Sequence, residues 1–148
     1  MDITIRNLQT RIIIHPTRIK KAVRHALQCL RISDAELSVV FVSPQRMKIL
    51  NTKHLQHRYV TDILTFDYRA SKSQGLQAEV IICPSVAASN AVVYRSTIQK
   101  EIDLYVVHGL LHLAGYDDHS AQDIKLIRNK EKEILDNLRH SRGGGGFS

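Results

Sequence analysis

Two histidines four residues apart, then a glycine, then a third histidine, constrain this chain more than any other feature. The run is His108-Gly109-Leu110-Leu111-His112-Leu113-Ala114-Gly115-Tyr116-Asp117-Asp118-His119. Positions i and i+4 are neighbours on one face of a helix, so His108 and His112 can share one metal ion. Gly115 is suited to ending that helix in the left-handed conformation, and the reversal carries His119 back towards the same ion. Three protein ligands and one open position are the pattern of catalytic zinc, whereas structural zinc is closed by four. The spacing therefore predicts one Zn2+ held by His108, His112 and His119. Leu104, Val107, Leu111 and Ala114 predict an apolar stripe turned to the core. Histidines on such a helix need polar partners, which a metal supplies. Asp117 and Asp118 suit a turn, and either can also serve as a ligand or as an acceptor behind one.

Three neutral imidazoles leave the metal its full charge and lower the pKa of a bound water towards ~7. That water suits hydrolysis of an ester, amide or phosphodiester. In the protease motif HExxH the residue after the first histidine is the general-base glutamate. Here that place is Gly109, so peptide hydrolysis of that kind is not expected. Glu101, seven residues before His108, is expected to complement its helix N-terminus.

At 148 residues the chain is long enough for one domain with its own core. An apolar content of 43% excludes a disordered chain. The net charge of +7 favours an anionic partner, nucleic acid first. Cys29 and Cys83 have no CxxC partner and read as buried, reduced thiols. Asp2 and Arg6 interrupt any early apolar run, so no secretory signal is expected. No stretch reaches the ~18–20 apolar residues that span a bilayer. A cytoplasmic protein with no membrane partner and no organic cofactor is expected.

Pro16, Pro44 and Pro84 each stand where a helix can begin, since the first helical N–H has no intrahelical partner to lose. Ser43 is a good N-cap for the second of these helices. Strand-like runs are Asp2–Asn7, Glu36–Val42, Ile63–Tyr68 and Glu79–Cys83. The last two are expected to pair antiparallel. A helix is predicted over Pro84–Tyr94, and the capping box Ser96-Thr97-Ile98-Gln99 predicts the start of the histidine helix. Ser120 predicts the start of a last helix, about Ala121–Arg139, with Ile124, Ile127, Ile134 and Leu138 as its apolar stripe. Residues 141–148, with glycine at 143–146, are expected to form a disordered tail. The order βαβαββααα predicts a single α+β (mixed α/β) domain over residues 1–140, a small mixed four-stranded sheet packed with about five helices.

Candidate cations for an anionic substrate are His57 and Arg58, in a loop leading to a strand. Further candidates are Arg18, Lys20, Lys21 and Arg24 on the first helix. His15, His25 and His140 lie beside basic residues and are expected to be solvated or phosphate-facing. His54 falls near the end of the helix begun at Pro44.

The histidine run closely resembles the HGxLHLxGYDH signature of the YbeY family of endoribonucleases. Leu50-Asn51 with Thr61-Asp62-Ile63-Leu64-Thr65-Phe66 resembles the family's LN…TDVLSF block, and Glu79-Val80-Ile81-Ile82 resembles its GDIxI block. The likeness covers about residues 1–139. It implies a zinc-dependent endoribonuclease specific for single-stranded RNA. That activity would serve 16S rRNA 3′-end processing and ribosome quality control at the small subunit. The family's metal histidines carry over to His108 and His112. Its third histidine falls on Asp118 here, with His119 one residue on, so either is the third ligand. Leu55 stands where the family has a functional arginine and Val60 where it has a proline. Arg58 takes an acidic position, from which it is the candidate to supply the missing guanidinium and, with His57, to contact RNA. Two other classes fit the same residues. One is a non-catalytic RNA-binding ribosome-assembly factor with structural zinc; the other is a zinc hydrolase for a small molecule or peptide.

Overall fold

The computed structural model describes residues 1–53, 63–71 and 73–147, the side chains of 53 and 141–147 excepted. The elements run β1 (Asp2–Asn7), α1 (Pro16–Cys29), β2 (Ala35–Phe41), α2 (Pro44–Lys53), β3 (Ile63–Asp67), β4 (Leu76–Ile82), α3 (Pro84–Val93), α4 (Ile98–Leu113) and α5 (Ala121–Phe147). This is the predicted βαβαββααα order, with a mixed four-stranded sheet and five helices. The sheet order is β1-β2-β4-β3. β1, β2 and β4 run parallel, and β3 pairs antiparallel with β4 at one edge.

Side chains alternate across the sheet and bury both faces. Leu37, Val39 and Phe41 of β2 share one face with Leu76, Ala78, Val80 and Ile82 of β4. Residues of α1, α3, α4 and α5 complete that core. On the other face Val40, Leu64 and Ile81 meet Val42, Cys83 and Met47 of α2. β4 starts three residues before the predicted Glu79, because Leu76 and Ala78 pair with Ala35 and Leu37 and keep the inward alternation.

Three helices end in one way. The N–H two residues past the C-cap returns to a carbonyl five residues back, over a residue of positive φ. Arg31 (φ 57°) and Arg95 (φ 52°) hold that position after α1 and α3, and Gly115 (φ 103°) holds it after α4. The closing bonds are Ile32 N–H to Leu27 O at 2.9 Å, Ser96 N–H to Ala91 O at 2.8 Å and Tyr116 N–H to Leu111 O at 3.0 Å. Ser96 is thereby committed to closing α3. The N-cap of α4 is Thr97 instead, whose hydroxyl accepts from Lys100 N–H at 3.1 Å, so a single-sided cap replaces the expected capping box, lysine at N3 having no acceptor to return. Ser43 and Ser120 cap α2 and α5 as predicted, accepting from Arg46 and Asp123 N–H at 3.2 and 3.0 Å. α5 continues to Phe147, over residues for which the glycine run predicts a tail. Leu138 is the last buried residue among those of α5 whose side chains are described.

α4 departs from the expected one-sided stripe. From Glu101 to Leu113 it is buried on nearly every side, and Ala114 is exposed. Leu104, His108 and His112 alone in that span are partly open. The sheet and α1, α3 and α5 all pack on α4, which leaves one line of residues at i, i+4 and i+8 facing out.

Candidate metal centre

That open line carries the two helical histidines. Their Nε2 atoms lie 2.9 Å apart, and the rings meet edge to face with centroids 4.5 Å apart at 73°. The helical spacing brings the two rings within reach of each other. After Gly115 the chain reverses, and Asp118 Oδ2 comes to 4.0 Å from His112 Nε2. One ligand atom each from His108, His112 and Asp118 lies within 4.8 Å of the others. His119 is placed differently: its side chain is 81% exposed and its Nε2 lies 3.0 Å from Asp117 Oδ1. It clusters with Asp117 and Asp118 rather than with the helical pair. Asp118 thus belongs to both groups.

Burial, and next the neighbouring His108, push the His112 pKa below its ordinary value; the carboxylates of Asp118, Asp117 and Glu131 oppose this more weakly. A depressed pKa keeps the imidazole neutral to lower pH, the state in which it binds a metal. On the far side of His108, its Nδ1 is hydrogen-bonded to Glu131 Oε2 of α5.

Packing fixes where α4 stands on the sheet. A Cβ at Gly109 would lie 3.1 Å from Val80 Cγ1 and 3.3 Å from Thr65 Cγ2. Position 109 therefore faces β3 and β4, and a glutamate there would have no room. Arg69 holds the C-terminal end of α4 from the loop after β3. Its guanidinium binds Asp67 at 2.6 and 3.0 Å and donates to Leu113 O at 3.1 Å.

Two imidazole nitrogens and a carboxylate oxygen are a donor set that zinc accepts, and all three side chains are partly open to solvent. These residues fit a metal with an open position.

The sequence profile of the endoribonuclease YbeY family matches residues 4–139. The chain belongs to the YbeY family. Proteins named endoribonuclease YbeY resemble it over most of its length. That of Thermodesulfovibrio yellowstonii is 41% identical over 106 residues, covering 70% of this chain and 67% of its own. That of Finegoldia magna is 37% identical over 120 residues, covering 79% and 78%. A Thermotoga maritima protein solved in solution superposes with a TM-score of 0.65 at 25% identity, over 97% of this chain and 93% of its own.

The helical half of the YbeY signature is thus the converged pair on α4, and its turn delivers Asp118. His57 and Arg58, with His54, Leu55 and Val60, lie outside the described residues. Arg18 is not a free cation: it pairs with the buried Asp103 of α4 at 3.0 Å. His25 is not solvated, because its Nε2 meets the Ile134 carbonyl at 3.1 Å where α1 packs on α5. His15, Lys21, Arg24 and His140 are exposed, while Glu101 is buried in the first turn of α4. Sequence reasoning missed Glu131. The signal for it was present, since a carboxylate four residues after Ile127 and three before Ile134 falls within the apolar stripe of α5.

Proposed function

We propose that this chain is a zinc-dependent endoribonuclease that cleaves single-stranded RNA. Its setting is the cytoplasm, at 16S rRNA 3′-end maturation and quality control of the small ribosomal subunit. The observation that carries this reading is the convergence of one ligand atom each from His108, His112 and Asp118 within 4.8 Å on a partly open face. Membership of the YbeY family and the +7 charge, which suits a polyanion, support it.

His108 and His112 are the proposed nitrogen ligands. Asp118, with an oxygen 4.0 Å from His112 Nε2, is the proposed third ligand, with His119 the alternative one residue on. A carboxylate lowers the charge of the site and so acidifies water less than a third imidazole would. When bound, zinc supplies an acidified water as the nucleophile for phosphodiester hydrolysis. Arg58 and His57 are proposed as phosphate contacts. Their segment leads into Ile63, whose Cγ2 lies 3.5 Å from the Cβ position at Gly109, next to His108.

The test is cleavage of an end-labelled single-stranded RNA by purified protein. Cleavage is expected to stop with a zinc chelator, to return on adding zinc, and to be absent in His112→Ala; a duplex of the same sequence should survive. Chelator-insensitive cleavage overturns the metal-dependent mechanism. RNA binding without cleavage by fully zinc-loaded protein selects the assembly-factor reading instead.

A further inference from the structure

We infer that Glu131 is a positioning residue for the metal centre: its carboxylate holds His108 in the Nδ1–H tautomer, so that the Nε2 lone pair faces the metal. The inference rests on the reading of His108 and His112 as metal ligands.

Glu131 is 8% exposed, while its neighbours Lys132 and Glu133 on the same helix are exposed. It occupies the inward line of α5 between Ile127 and Ile134, both buried. A carboxylate there is costly unless it accepts hydrogen bonds, and the one it makes is with His108 Nδ1. An ionised carboxylate only accepts, so Nδ1 carries the proton of this bond, and in a neutral imidazole the lone pair is then on Nε2. His108 Nε2 is the atom that stands 2.9 Å from His112 Nε2. In the absence of metal, His112 Nε2–H can donate to that lone pair. A metal shared by the two Nε2 atoms would require His112 to carry its proton on Nδ1 instead, whereas His108 would keep its tautomer and ring orientation. α5 therefore acts on the site from behind, since residues 23 positions apart meet across the α4–α5 packing. Carboxylates behind metal-bound imidazoles raise ligand basicity and fix ring orientation, and their loss costs about 10–100-fold in metal affinity.

The experiment compares wild type, Glu131→Ala and Glu131→Gln in the full chain, with circular dichroism confirming the fold. Zinc affinity is measured by chelator competition. His108 tautomers are read in metal-free protein at pH 8 from 15N shifts of the ring nitrogens. Glu131→Ala is expected to bind zinc about 10–100-fold more weakly and to lose the Nδ1–H preference. Glu131→Gln, which keeps an acceptor oxygen, is expected to restore most of both. Equal zinc affinity in wild type and Glu131→Ala overturns the inference, and so does a Glu131→Gln no better than Glu131→Ala. If Glu131→Ala does not fold, an Nε2–H His108 in metal-free wild type overturns it. Wild-type protein that takes up no zinc overturns the metal centre itself. Normal zinc uptake with an indifferent Glu131 overturns the positioning role alone.

Discussion

The helical histidines and the turn histidine stand in opposite surroundings. His108 and His112 are 31% and 26% exposed at the side chain, on a helix packed against the sheet, α1, α3 and α5. His119 is 81% exposed and pairs with its near neighbour Asp117. The first pair is held in a metal-competent geometry by packing that exists for the sake of the fold. The turn is anchored to the core at its start by Tyr116, and beyond it Asp117 and His119 are exposed while Asp118 is partly buried. The contrast separates a preorganised half of the site from an adaptable half.

The largest effect that tests this contrast is His112→Ala. It should lower zinc affinity by more than about 100-fold, beyond what a partner behind a ligand costs, with little change in helical circular dichroism. Next comes a direct comparison of the turn residues by chelator competition. Asp118→Ala should weaken zinc by about tenfold or more and His119→Ala by much less. The reverse order would mean that the turn rearranges on binding to exchange one for the other. Gly115→Ala acts on the joint between the halves. Its Cβ would meet nothing within 4 Å, so the cost is that of the φ of 103°, about 1–2 kcal/mol. A thermal melt should show that loss, while metal-free ring contacts between His108 and His112 persist.

A smaller effect follows from pH. The folded His112 pKa lies below its ordinary 6.5. Above 6.5 the group is neutral in both states and contributes nothing. Below it the unfolded chain takes the proton first, so metal-free protein loses stability as pH falls from 6.5 towards the depressed value. Melting curves at pH 7.5 and 5.5 should show this decline, and His112→Ala should reduce it. The smallest effect is a control on another helix end. Arg95→Gly relieves a positive φ of 52° and should stabilise by about 0.5–1 kcal/mol, leaving zinc affinity unchanged.

What was legible in the sequence is what local geometry dictates. The i, i+4 pair converges because the helix repeat allows little else, and Gly115 reverses the chain because few residues accept its φ. The three prolines marked helix starts for an equally local reason. Parallel pairing of β1, β2 and β4 left no such mark. The start of α4 was misplaced because Ser96 was needed to close α3, a competition between two helix ends. Glu131 escaped notice because its partner is on another helix, although a charge within an apolar stripe pointed to something. The sequence favoured His119 over Asp118 as the third ligand, whereas Asp118 is the one beside the helical pair and His119 is largely exposed, because one residue along a turn changes which way a side chain faces.

The guanidinium of Arg69 makes β3 and the ligand-bearing helix one mechanical piece. It grips Asp67 at the end of the strand and the last carbonyl of the helix together. The segment carrying His57 and Arg58 enters that same strand from its opposite end. Cutting that link, as in Arg69→Ala, would free the end of a five-residue strand from the end of the helix on which His108 and His112 stand.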